Sequence, residues 1–122
     1  MRHCVQYALT YPSRLEAKTE PLDLFSVGKL SFAKPDPETF ILLEKAFEAI
    51  KLGGAVPAVL NAANEEAVAA FLDKKIGFCD IMSVVCDTVD RFADATRISD
   101  VDGILSVSAE SRKVARELIR AV

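Results

Sequence analysis

The stretch Ala55-Val-Pro-Ala-Val-Leu-Asn-Ala-Ala-Asn-Glu-Glu-Ala-Val-Ala-Ala-Phe-Leu72 constrains this chain more than any other. Leu60, Ala63, Ala67 and Phe71 recur at the spacing of one helical face, which predicts a helix from about Pro57 to Lys74, broken at Gly77. Its many alanines suit a close helix–helix contact, because alanine carries no bulk beyond Cβ and loses no side-chain entropy in a helix. Ordinary core helices rarely carry two asparagines and two acids within six residues, as Asn61 to Glu66 do here.

Three further amphipathic segments surround it. Asp36 reads as an N-cap with Pro37 at the first helical position, and Phe40, Leu43, Phe47 and Ile50 follow as an apolar stripe up to Gly53-Gly54. Glycine there accepts the left-handed conformation that ends a helix. Asp80 opens the next segment as an N-cap, with Ile81, Val84, Val85, Val89 and Phe92 as its stripe. Asp94 to Val107 reads as a polar connection, and a last helix starts near Ser108 with Val114, Leu118 and Ile119 facing inward. Four such stripes must bury against one another. The fold expected is mainly α: a small four-helix bundle over residues 36–122, preceded by an irregular or extended arm over residues 1–35. Within the arm, Met1 to Tyr11 suits a short helix or an extended turn stopped at Pro12. Leu22, Leu24, Leu30 and Phe32 alternate loosely with polar residues, as short extended pieces do.

At 122 residues the chain suits one domain with a real core. A net charge of −3 with no basic stripe gives no footprint for nucleic acid, and no apolar run approaches a membrane span. With no apolar signal run after Met1, the compartment expected is the cytoplasm. Cys79 and Cys86, seven apart on one helix, lie about 10 Å apart along its axis, too far for a disulfide, and are expected as buried thiols.

Chemical motifs are sparse. Gly28-Lys29 lacks the other glycine and the hydroxyl residue of a phosphate loop, since position 23 is Asp and position 30 is Leu. Asp100-Val-Asp102-Gly103 resembles the centre of a calcium loop, but Ile98 and Ala109 stand where oxygen donors are required. His3, the lone histidine, lies in an irregular stretch with no base–nucleophile arrangement around it. Asn61, Asn64 and Glu65 share a helix face. They suit either a small ligand or metal, or a structural role in hydrogen-bonding backbone groups of the arm. The structural role is the expectation.

Taken in order, Met1-Arg2, Tyr7-Ala8, Pro12, Pro21-Leu-Asp-Leu-Phe25, Lys29-Leu-Ser-Phe32, Leu60-Asn-Ala-Ala-Asn-Glu65, Phe78-Cys-Asp-Ile81 and Leu105-Ser-Val-Ser108 resemble the C-terminal part of the 1-deoxy-D-xylulose 5-phosphate reductoisomerases of the non-mevalonate isoprenoid pathway. Members of that family join an NADPH-binding domain, a catalytic domain and a C-terminal helical bundle, and use NADPH with Mg²⁺ or Mn²⁺ to make 2-C-methyl-D-erythritol 4-phosphate. The resemblance implies that residues 1–35 correspond to the end of the catalytic domain and its linker, with Met1 beside the substrate pocket. It implies that no catalytic, cofactor or metal residue falls within this chain, which is then silent alone and partners the upstream catalytic and NADPH-binding domains. Without them, an apolar arm side of Val5, Leu9, Leu24 and Phe25 is expected to drive self-association. The alternatives are an independent helical interaction module and a small enzyme or metal protein built on Asn61 to Glu66.

Overall fold

The structure, a computed structural model, describes residues 2–16 and 20–122. It divides into two units, Met1–Lys34 and Pro35–Val122. All regular structure among the described residues is helical.

The first unit carries a short helix, α1 (Arg2–Thr10), and a single helical turn, α2 (Leu24–Val27). The turn after α1 is closed by Gln6, whose Nε2 donates to the carbonyls of Leu15 and Glu16, both at 3.1 Å. The Arg14 guanidinium stacks 4.5 Å above the Tyr7 ring, and Tyr11 meets that ring edge-on. Asp23 starts α2 by accepting from the Phe25 N–H at 3.0 Å, so Leu24 sits in a helical turn where an extended piece was expected. Val5, Leu9, Leu24 and Phe25 are all exposed.

The second unit is a bundle of α3 (Ile41–Leu52), α4 (Val56–Leu72), α5 (Phe78–Arg91) and α6 (Val101–Ala121), with a 3₁₀ turn at Ala93–Arg97. α4 is the centre, packing against each of the other three helices. Val56, Val59, Ala62, Ala63, Ala67 and Ala70 are buried on it. From α5, Ile81, Val84, Val85 and Val89 complete the core, as their spacing predicts. The two buried hydroxyls, Thr88 and Ser111, are satisfied by back-bonding to the carbonyls of Val84 (2.7 Å) and Ser108 (2.8 Å).

Three helix starts differ from the sequence reading. Asp36 does cap backbone, but of a separate turn. Its carboxylate accepts from the Thr39 N–H at 3.1 Å, and Phe40, at φ −108° and ψ 62°, breaks continuity before α3 begins at Ile41. Asp80 acts from inside the first turn of α5, accepting from the Gly77 N–H at 2.7 Å, so Gly77 is the cap residue. α6 begins seven residues before Ser108, because Asp100 caps it by accepting from the Gly103 N–H at 2.8 Å. The supposed polar connection is thus a 3₁₀ turn and two turns of helix.

The largest correction is the rotation of α3. Ala49 is its buried residue, whereas Phe47 is 59% and Ile50 is 70% exposed, with Phe40 and Leu43 also open. Ala49 and the partly buried Leu42 form the packed side, and Lys45 reaches Asp90 on α5 at 3.2 Å and Glu48 on α3 itself at 3.4 Å. Those two carboxylates, Asp90 first, raise the Lys45 pKa above its usual value. The cysteines are also less covered than expected: Cys79 is exposed at the start of α5, and only Cys86 is half-buried, its thiol pKa pushed up by burial.

Gly53 ends α3 as expected, and Gly54 is held at φ +57°. The next residue docks on the 3₁₀ turn, with the Ala55 N–H donating to the Ala95 carbonyl at 3.0 Å. A Cβ on Gly54 would lie 2.3 Å from the Thr96 carbonyl oxygen, which is backbone and has no room to give. Gly54→Ala is therefore expected to destabilise the fold by about 2 kcal/mol or more, from positive-φ strain and the clash together. Urea denaturation followed by circular dichroism measures this, and an unchanged midpoint would contradict the docking of the two turns.

Candidate functional site

The polar insert of α4 lies on the side of that helix facing α6. Asn61 donates to the Glu65 Oε1 at 3.1 Å, one helical turn away. Glu65 in turn accepts from Arg112 Nη2 on α6. Glu66 accepts from Arg112 Nη1 at 3.1 Å and from Arg116 through both Nε (2.7 Å) and Nη2 (2.8 Å). The Arg116–Glu66 pair is bidentate, the geometry in which guanidinium and carboxylate bind best. Two carboxylates and two guanidiniums thus form one network between α4 and α6.

The sequence reading singled out Asn61, Asn64 and Glu65. The structure brings Asn61 and Glu65 together, leaves Asn64 half-buried beside them without a hydrogen bond to another described residue, and adds Glu66, Arg112 and Arg116. Glu66 is the best covered member, its side chain 17% exposed. The arginines went unnoticed because their partners lie 46 to 50 positions away, beyond any local periodicity. Their spacing of four on α6, matching the adjacent acids on α4, is the signal that was available.

The charges reinforce one another. Arg116 foremost, with help from Arg112, holds the Glu66 carboxyl below its ordinary pKa against the opposing effect of burial. Arg112 and then Asn61 do the same for Glu65, and both arginines are raised in return. Every carboxylate oxygen that faces a cation is already committed, so the arrangement suits a clamp better than an acid–base pair. No group of three or more His, Cys, Asp or Glu side chains among the described residues converges as a divalent metal would require. Met1, expected near a substrate pocket, lies outside the described residues.

Residues 1–114 match the family profile of the DXP reductoisomerase C-terminal domain. The chain belongs to this family. It is 46% identical over 121 residues to the 1-deoxy-D-xylulose 5-phosphate reductoisomerase of Aromatoleum aromaticum, covering 99% of this chain and 30% of that protein. The Zymomonas mobilis relative is 44% identical over all 122 residues, with 31% of its length covered. The solved structure of the reductoisomerase from Zymomonas mobilis in complex with NADPH superimposes over 97% of this chain, with a TM-score of 0.83 and 31% of its own chain covered. A reductoisomerase structure in complex with NADPH, fosmidomycin and magnesium is similar over 98% of this chain at a TM-score of 0.78 and 34% identity. The chain therefore spans about a third of the length of these relatives.

NADPH and magnesium belong to the solved relatives, and the described residues of this reductoisomerase domain do not fit either. Among the described residues no acidic or histidine cluster converges for the ion, and no strand-to-helix turn is present to cradle a pyrophosphate. No described helix is long and apolar enough to cross a membrane.

Removing the clamp gives two expectations. Glu66→Gln should cost about 1–2 kcal/mol, and a double-mutant cycle with Arg116→Gln should show that the two substitutions are not additive. Because Glu65 and Glu66 have folded pKa values below those of the unfolded chain, their contribution is complete above the unfolded carboxylate range near pH 4.5. It is lost as pH falls through the lower folded values. Thermal melts from pH 6 to pH 3 should thus fall more steeply for the native chain than for Glu66→Gln. Parallel curves would contradict the clamp.

Proposed function

We propose that this chain acts as the C-terminal structural part of a 1-deoxy-D-xylulose 5-phosphate reductoisomerase in the cytoplasm. That enzyme carries out the NADPH- and Mg²⁺- or Mn²⁺-dependent rearrangement and reduction that yields 2-C-methyl-D-erythritol 4-phosphate for isoprenoid synthesis. The observation that carries this reading is the match of residues 1–114 to one end of that enzyme, together with a superposition on its solved structure over 97% of the chain.

In this reading the chemistry belongs to upstream catalytic and NADPH-binding domains, and this chain contributes no reacting group. Residues 1–35 correspond to the end of the catalytic domain and its linker, and residues 36–122 to the bundle that braces it. Asn61, Asn64 and Glu65 serve structure, Glu65 through its pair with Arg112. Glu66, Arg112 and Arg116 lock α4 to α6. A rigid support of this kind holds catalytic groups elsewhere in the enzyme to productive geometry.

The test is complementation in trans. Co-expression of this chain with the preceding portion of a reductoisomerase should restore NADPH oxidation with 1-deoxy-D-xylulose 5-phosphate and Mg²⁺, whereas neither piece alone turns over substrate. Two folded pieces that neither bind nor react would overturn the reading.

A further inference from the structure

We draw no further inference here: the strongest candidate, the apolar outer face of α3 formed by Leu43, Phe47 and Ile50, is an unpartnered helix face, and nothing in the structure shows what covers it.

Discussion

The bundle depends on α4 being thin. Ala62, Ala63, Ala67 and Ala70 are buried on a helix that packs against all three of its neighbours, and valine is the largest fully buried apolar side chain in the bundle. Small side chains let helix axes approach closely, and close approach is what allows a single helix to serve as the common wall of a four-helix core. Each alanine buries little apolar area, so the stability of the bundle comes from many modest contacts with no dominant aromatic. The larger residues are displaced to the periphery: Leu60, Phe71 and Phe92 pack against the core from its edge.

A core of small, similar side chains specifies register weakly, because one alanine fits much as another does. The polar clamp compensates. Glu66 held bidentate by Arg116, with Arg112 shared between Glu65 and Glu66, ties particular turns of α4 to particular turns of α6. Exposed ion pairs stabilise little individually, but a network with fixed geometry selects one alignment over its neighbours. Lys45 and Asp90 add a single pair between α3 and α5, and Asp100 and Asp80 set where their helices begin. Polar groups in this domain therefore position helices.

Much of the bundle was legible in the sequence because its signals are local. The alanine block, the Ile81–Val89 stripe and the Gly53-Gly54 stop each lie within one element and follow its period. The signals that misled were local ones with two meanings. Asp36-Pro37 describes a helix start and equally a capped turn, and the backbone at Phe40 decides for the turn. Asp100, Asp102 and Gly103 look like loop residues, yet an aspartate cap followed by a glycine at the third position is also the start of α6. A Cβ on Gly103 would press on Ile98 at 2.7 Å, so the glycine is there for space. The rotation of α3 was illegible in principle. An apolar stripe says that a face is to be covered, without saying whether the cover comes from the same bundle. The arginine partners of Glu65 and Glu66 were hidden by sequence distance alone.

The claim that matters most is that this chain supplies support and no chemistry. It is tested most directly by grafting residues 1–122 in place of the matching third of the Zymomonas mobilis reductoisomerase and measuring steady-state NADPH oxidation with 1-deoxy-D-xylulose 5-phosphate. Support alone predicts kcat and KM close to those of the parent, since every reacting group is retained. A folded graft that binds NADPH and substrate normally yet turns over no product would contradict it.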